Sequence, residues 1–186
     1  YEQADDLLGM TPGDFRRGGQ GIAIRYAIAS SPLGLVLVAG TERGLCSVRF
    51  GDDQAALEQE LRATFPHASI VPADDGFAIW VRAVMGQIGT PGQIVDLPLD
   101  IQGTAFQQRV WQALREIPVG RTASYTDIAA RIGQPTAVRA VARACARNPV
   151  AVIVPCHRVV KADGGLSGYR WGVERKRALL EQEGAL

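Results

Sequence analysis

Hydrophobic and polar residues alternate with the period of a β-strand in the first part of the chain. Segments 21–28 and 45–50 alternate in this way, and 35–39 is a short apolar run between them. The three segments are separated by turn signals at Ser31-Pro32, Gly40 and Arg43-Gly44. This pattern predicts three strands in an antiparallel meander.

Two helices are predicted to follow these strands. Asp52 or Asp53 can cap the first helix, which has apolar residues at helical spacing and ends near Thr64. The second helix covers about 77–88. Glycine and proline residues then interrupt the chain, so 90–103 is interpreted as a linker.

In the second half of the chain, apolar residues recur with the spacing of helices. Thr104 and Gln107, three residues apart, form a capping box for a helix that extends to about 117. Ser124 can cap a helix over 125–132, and a short turn leads to another helix over 136–147, a pair that resembles a helix-turn-helix. The whole pattern predicts an α/β (α+β) fold. A small N-terminal domain with an antiparallel sheet and helices precedes a mainly helical C-terminal domain that contains the helix-turn-helix.

The predicted helix over 136–147 carries a row of arginines on one face. Arg139, Arg143 and Arg147 fall at i, i+4 and i+8, while alanines, among them Ala137 and Ala140, cover much of the remaining surface. Arginines bind phosphates, and the helix has no Asn or Gln to contact base edges, which favours DNA affinity without sequence specificity. The alternative is an ordinary surface helix whose arginines serve solubility.

The overall composition is that of a globular protein. The chain has 186 residues, of which 47% are hydrophobic and 21% charged. The longest uncharged stretch, 26–41, has 16 residues and is interrupted by proline and glycine, so no membrane span is predicted. No signal-peptide pattern is present at the start, and secretion is not expected.

The net charge of +1 by itself argues against a nucleic-acid partner, but the charges are unevenly distributed. Residues 1–102 carry 7 basic and 13 acidic side chains, a net charge of −6, whereas 103–186 carry 13 basic and 6 acidic, a net charge of +7. Such an asymmetry indicates an anionic partner for the second half. A dipolar protein with solvated faces is the alternative interpretation.

The number and spacing of the cysteines indicate a reducing compartment in which they stay free thiols. Cys46, Cys145 and Cys156 are too few and too scattered for a disulfide framework, and with two histidines they provide no metal-ligand spacing. We therefore expect a cytoplasmic protein that binds no metal.

Cys156 differs from the other two cysteines because His157 and Arg158 adjoin it at the end of an apolar run, where Pro155 interrupts the chain. A single cysteine is usually a small hydrophobic residue, but a neighbouring base or cation favours the reactive thiolate. In an extended chain Cys156 and His157 would point to opposite faces, so a productive pair needs a tight turn or a bridging water.

A nucleophile and base also need an acceptor that holds the imidazole in one tautomer. Three glutamates in or just after the last predicted helix, about 172–182, qualify equally by spacing: Glu174, Glu181 and Glu183.

The motif Pro-Cys-His-Arg-Val at 155–159 is similar to that of the O6-alkylguanine-DNA alkyltransferase family. The similarity continues in order through further segments of the second half: 103–111, 117–120, 124–125, 137–141, 148–149 and 166–172. Residues 22–100 also resemble the less distinctive N-terminal domain of that family. The resemblance therefore covers most of the chain.

The resemblance implies a catalytic role for five residues. Cys156 corresponds to the alkyl acceptor, His157 to its general base acting through a water, and Glu183 to the carboxylate that orients His157. Asn148 matches the hinge before the active-site segment, and Tyr125 matches the residue that assists the departing guanine.

The resemblance also implies DNA contacts. Arg139 corresponds to the finger that enters the space left by a flipped nucleotide. Further DNA-binding positions are Ser124, Ala137, Ala140 and Arg143, and the base pocket is walled by Tyr169, Arg170 and Trp171.

A member of this family repairs DNA by direct reversal. The alkyl group of O6-methylguanine, with O4-methylthymine as a further candidate substrate, passes irreversibly to Cys156, once per molecule. The target base must leave the duplex to be reached. The implied partner is double-stranded DNA, bound in the minor groove largely independently of sequence by a monomer without a metal or organic cofactor, in a bacterial cytoplasm.

The first residues have a separate likeness. Segment 8–19 resembles the tail of AraC-type DNA-binding domains, an order found in bifunctional repair proteins that also activate transcription. This predicts a remnant tail or linker over 1–19, a scaffold domain over 20–102 and an alkyltransferase domain over 103–186. The alternative for the first segment is a disordered leader.

Two other functions compete with alkyl transfer. A non-catalytic protein that senses alkylated bases would bind the same DNA, but it would not need the thiol of Cys156. A cysteine hydrolase would need a separated histidine and an oxyanion hole, and the sequence shows neither.

Overall fold

The computed structural model describes residues 18–92 and 96–186. The described residues divide into two units, one formed by 18–89 and 96–102 and the other by 90–92 and 103–186. The predicted AraC-like tail lies almost entirely outside the described residues.

The first unit is built on a four-stranded sheet. Strands β1 (Ala23–Ser31), β2 (Gly34–Gly40) and β3 (Leu45–Gly51) pair antiparallel, as their alternation predicts. Strand β4 (Ser69–Pro72) pairs with β1 in parallel, which gives the order β3-β2-β1-β4. The predicted antiparallel meander of β1, β2 and β3 is confirmed, and the sheet as a whole is mixed because the unpredicted β4 is parallel to β1. Periodicity does not detect β4 because it is only four residues long, mostly exposed, and ends in proline.

Two helices pack on this sheet. Helix α1 (Gln54–Thr64) begins after Asp53, whose side chain accepts a hydrogen bond from the amide of Ala56 at 2.8 Å. Its buried Leu57 and Leu61 join Leu37 of β2 in the hydrophobic core. Helix α2 (Asp75–Gly89) packs its first turns against the end of β2.

The second part of the predicted linker is folded onto the first unit. The amide of Leu45 donates to the carbonyl of Pro98 and the amide of Asp100 donates to the carbonyl of Leu45, both at 2.8 Å. Gly44 permits this approach, since a Cβ there would lie 2.5 Å from the Pro98 oxygen. Leu97, Leu99 and Ile101 of this segment are buried, so it is part of the core and not a free connection.

The second unit consists mainly of helices, with one short parallel pair of strands, β5 (Ala123–Ser124) and β6 (Val159–Val160). Helix α3 (Ala105–Arg115) begins with the predicted capping box of Thr104 and Gln107. Helix α4 (Tyr125–Arg131) begins with a second box formed by Ser124 and Asp127. Helices α5 (Val138–Ala146) and α6 (Val173–Gln182) complete the unit.

Helix α5 is held against α3 by Trp111, whose indole Nε1 donates to the carbonyl of Ala144 at 2.9 Å. The turn before α5 contains Gly133 at a φ of 75°, a conformation that favours glycine. Helices α4 and α5 thus follow one another across a short turn, and their use as a DNA-binding helix-turn-helix stays a prediction. Within the described part of the chain, every helix is too short or too polar to cross a lipid bilayer.

Candidate active site

Asn148 closes the loop that leads from α5 to Cys156. Its Oδ1 accepts from the amide of Val150 at 3.0 Å, and its Nδ2 donates to the carbonyl of Val154 at 2.7 Å and to the Cys156 Sγ at 3.2 Å. The loop contains Val152 at a φ of 69°, an unfavourable conformation for a β-branched residue. The buried Asn148 therefore supports a strained loop and contacts the thiol at its end.

Cys156 begins a 3-10 helix, Cys156–Arg158, directly after Pro155. This is the tight turn that the adjacent Cys156 and His157 require. The thiol is buried, and burial raises its pKa to about 11, although the hydrogen bond from Asn148 and the charges of Lys176 and Arg170 act in the opposite direction. The resting thiol is therefore protonated at neutral pH, and its use as a nucleophile requires a base.

His157 is fully buried and is paired with a carboxylate at the end of α6. Its Nε2 lies 2.8 Å from the Glu183 Oε1. The same carboxylate accepts two hydrogen bonds from Arg158, from Nε at 3.0 Å and from Nη2 at 2.9 Å. The remaining Nη1 of Arg158 donates to the carbonyl of Ile117 at 2.7 Å, so the guanidinium also joins this carboxylate to the end of α3.

The charges of this cluster define the imidazole tautomer. Burial raises the pKa of Glu183, but the hydrogen bonds from His157 and Arg158 and the charge of Arg158 outweigh it and lower the pKa to about 2. Burial lowers the pKa of His157, so the imidazole is neutral. Because the ionised carboxylate only accepts, Nε2 carries the hydrogen and Nδ1 is the basic nitrogen. This Nδ1 is buried and has no hydrogen-bond partner among the described residues.

A cavity of about 460 Å³ opens beside the thiol. Tyr125 contributes one part of its wall, and Cys156 contributes another. Its other lining residues come from one face of α5 and from the loop before α6: Ala142, Cys145, Ala146, Lys161, Ser167, Gly168, Tyr169 and Arg170. The cavity thus joins two thiols, two phenols, a lysine ammonium and a guanidinium within the second unit.

Two family models of known proteins match this chain, one in each unit. Residues 24–84 match the family model described as the ribonuclease-like domain of 6-O-methylguanine DNA methyltransferase, and residues 105–185 match the DNA binding domain of the same family. The methylated-DNA–protein-cysteine methyltransferase of Mycobacterium bovis is 43% identical over 160 residues, which cover 86% of this chain and 92% of that protein. The chain belongs to this methyltransferase family.

The resemblance predicted from the cysteine motif is therefore confirmed. Two further members of the family are similar over most of this chain. The bifunctional transcriptional activator and DNA repair enzyme Ada of Escherichia coli is 56% identical over 183 residues, which cover 98% of this chain but only 52% of Ada. This chain therefore spans about half the length of Ada. A crystal structure of Mycobacterium tuberculosis OGT in complex with DNA superposes with a TM-score of 0.73 at 41% identity, covering 87% of this chain and 93% of that one.

The structure brings some of the predicted methyltransferase residues together and leaves others apart. Cys156, Tyr125, Tyr169 and Arg170 all line the cavity. Trp171 is buried beside the ring of Tyr169, with ring centres 5.3 Å apart, and is not among the lining residues. Arg170 holds this loop to the hinge, because its Nη1 donates to the carbonyl of Asn148 at 2.8 Å.

The predicted DNA-binding residues lie on α5 or are the residues that directly precede α5 and α4. Arg139, Arg143 and Arg147 are exposed, whereas Ala137, Ala140 and Ser124 are half-buried. Val141 and Cys145 of α5 are buried. The arginine row is therefore available to a partner.

Sequence reasoning assigned no role to several residues of this region. Cys145, interpreted as a small hydrophobic residue, lines the cavity together with Cys156. Lys176 is fully buried and hydrogen-bonds Ser167, a lining residue. The sequence did contain a sign of the buried Lys176. It lies three and four residues before Leu179 and Leu180, on the apolar face of α6, where a lysine is unexpected.

Proposed function

We propose that this protein repairs DNA by direct reversal and transfers the methyl group of O6-methylguanine irreversibly to Cys156. The observation that carries this proposal is the buried Cys156, which borders the cavity and adjoins a neutral His157 oriented by Glu183. The relatives named as methylated-DNA–protein-cysteine methyltransferases support the same reaction. O4-methylthymine, with the same kind of methoxy group, is a second candidate substrate.

The reaction proceeds in one displacement. The proton of the Cys156 thiol passes through a water to Nδ1 of His157, and the resulting imidazolium is stabilised by the Glu183 carboxylate. The sulfur attacks the methyl carbon, a C–S bond forms and the C–O6 bond breaks, and the electron pair stays with the guanine. Tyr125, in the wall of the cavity, donates a proton to the departing base. A thioether has no water-labile bond, so each molecule reacts once.

The partner in this proposal is double-stranded DNA. The exposed arginine row on α5 contacts phosphates from the minor groove without reading sequence, and Arg139 enters the space that the flipped nucleotide leaves. The half-buried Ala137, Ala140 and Ser124 allow the backbone to approach. We propose that a monomer binds in this way and that it acts in a bacterial cytoplasm, where its three free cysteines stay reduced.

A labelling experiment tests the reaction. Duplex DNA with radiolabelled O6-methylguanine is incubated with the wild type, with Cys156→Ser and with the matched control Cys46→Ser, which changes a buried cysteine of the first unit. We expect the label on the wild type and on Cys46→Ser, one methyl per molecule, and none on Cys156→Ser. Equal labelling of Cys156→Ser would refute Cys156 as the acceptor, and DNA binding without any label would favour the damage-sensing alternative.

A further inference from the structure

A buried lysine lies behind the wall of the cavity. Lys176 is fully buried, and its Nζ donates to the carbonyl of Val159 at 2.5 Å and to the Oγ of Ser167 at 3.0 Å. None of the described carboxylates pairs with it. Burying an ammonium without a counter-ion is costly, and burial accordingly lowers the pKa of Lys176. Because ionisable groups with strongly shifted pKa values are common at functional sites, the buried and unpaired Lys176 is a candidate for a role in the reaction.

Ser167 connects this lysine to the cavity. Its hydroxyl forms a short hydrogen bond with the hydroxyl of Tyr125, and both residues line the cavity. An ammonium only donates, so Ser167 accepts from Lys176. Either hydroxyl can donate in the Ser167–Tyr125 hydrogen bond. When the serine hydrogen points at the phenol oxygen, the chain of hydrogen bonds runs from Lys176 through Ser167 to Tyr125, and the hydrogen of Tyr125 can donate into the cavity.

We propose that Lys176 and Ser167 form a proton relay that resupplies Tyr125 during alkyl transfer, a role that rests on the function proposed above. As the C–O6 bond breaks, Tyr125 gives its proton to the departing base. The Ser167 proton moves to the phenol oxygen, and a proton of the Lys176 ammonium replaces it on Ser167. The base leaves as a neutral molecule, both hydroxyls are restored, and the lysine ends as a neutral amine.

Burial favours this direction of proton transfer. It raises the pKa of Tyr125, so a phenolate left after proton donation would be unfavourable in this wall. The same burial makes Lys176 a better proton donor than an exposed lysine. The relay thus removes a buried positive charge and prevents a buried negative one. Lys176 and Ser167 act through Tyr125 and are positioning residues; neither needs to touch the base.

The experiment compares two methyl donors whose leaving groups differ. Single-turnover rates are measured with saturating duplex DNA containing O6-methylguanine, whose base leaves with a proton, and with methyl iodide, whose iodide needs none. We expect Ser167→Ala to slow transfer from O6-methylguanine about 10-fold, the effect of one transition-state hydrogen bond, and Ser167→Thr, which keeps the hydroxyl, to restore most of the rate. Methylation of Cys156 by methyl iodide should change less than about 2-fold in either variant.

A double variant distinguishes the relay from a purely structural role of Ser167. In a Tyr125→Phe background the relay has no acceptor, so Ser167→Ala should cause no further loss with O6-methylguanine. Equal slowing with both methyl donors, additive losses in the double variant, or no effect of Ser167→Ala would each overturn the relay. Failure of the proposed function looks different, because the wild type would then react with methyl iodide and not with O6-methylguanine.

Discussion

Glu183 connects the chemistry of the site to the stability of the second unit. Its carboxylate accepts one hydrogen bond from His157 and two from Arg158, and its side chain is 3% exposed. A buried carboxylate with this many donors remains ionised and keeps the imidazole in one tautomer. The same residue therefore determines which nitrogen of His157 is the base and how firmly α6 is held to the 3-10 helix.

Replacing Glu183 should damage both properties. We expect Glu183→Gln to slow methyl transfer by at least about 10-fold, because the imidazole loses the charge that stabilises its protonated form. The free energy of unfolding should fall by about 3 kcal/mol, since the buried Arg158 loses its partner. Urea unfolding and single-turnover kinetics measure the two effects, with the exposed Glu181→Gln of α6 as the matched control. A variant that reacts at the wild-type rate would refute the orienting role.

The same carboxylate predicts a dependence of stability on pH. The folded-state pKa of Glu183, about 2, lies below its ordinary value of 4.5. The ionised form therefore stabilises the fold above about pH 4.5, and this contribution of about 3 kcal/mol is lost as the pH falls toward 2. The difference in unfolding free energy between wild type and Glu183→Gln should shrink between pH 4.5 and pH 3. A difference that stays constant over this range would contradict the assigned ionisation.

At the scale of elements, α5 has two functional faces. Val141 and Cys145 are buried, and Cys145 lines the cavity, while Arg139, Arg143 and Arg147 are exposed. A helix of nine residues can thus present arginines on one face and a cavity wall on the adjacent face. This arrangement makes α5 the element that couples DNA binding to the reactive thiol in the proposed function.

The exposed face of α5 should matter for duplex DNA and not for the chemistry. We expect Arg139→Ala to slow repair of O6-methylguanine in duplex DNA more than reaction with the free O6-methylguanine base, because only the duplex requires nucleotide flipping. The control is Arg177→Ala, which removes an exposed arginine of α6. If both substrates lose the same factor with Arg139→Ala, its assignment as the finger is wrong.

The capping box of α3 was predicted from a four-residue pattern, and its contribution to stability can be measured. Thr104 and Gln107 bond each other's backbone amides at 3.1 and 2.9 Å at the start of α3. We expect Thr104→Ala to lower the free energy of unfolding by about 1 kcal/mol, whereas the exposed Gln112→Ala in the same helix changes it little. Methyl transfer should be unaffected in both. Equal losses of stability would show that the box contributes nothing beyond helix propensity.

The elements that sequence patterns missed are those with few residues or few apolar positions. Strand β4 has four residues and no buried side chain, so its parallel pairing with β1 is a long-range event without a local signal. Pairing in β5 and β6 involves only two residues on each side. Local periodicity reports burial, and these short segments contribute little buried surface.

At the scale of the whole chain, opposite charges are segregated. The net charge is −6 for residues 1–102 and +7 for residues 103–186, which include every residue of the candidate site. The total of +1 therefore averages an acidic first part and a basic second part, and the second part matches the DNA binding domain of the family. In the proposed function, a modest basic excess favours quick release from undamaged DNA.

Salt should weaken DNA binding through the basic part alone. We expect the logarithm of the association constant to fall linearly with the logarithm of salt concentration, and Arg143→Ala to reduce the slope by about 1. Arg82→Ala, an exposed arginine of the first unit, should leave the slope unchanged. Fluorescence anisotropy with an undamaged duplex measures these slopes. Equal reductions by both variants would show that DNA binding is not confined to the arginine row.

The sequence by itself determined the strands of the meander, the main helices and their caps, the adjacency of Cys156 and His157, and the family. All of these depend on residues that are close along the chain, where periodicity, turn residues and motif order act. Local patterns left Glu174, Glu181 and Glu183 open as partners of His157, and the family resemblance pointed to Glu183; the contact itself is a feature of the tertiary structure. Folding likewise joined Lys176 and Ser167 to Tyr125, 42 positions or more away. Such contacts depend on which faces of distant elements are buried together, a property of packing that no local pattern contains.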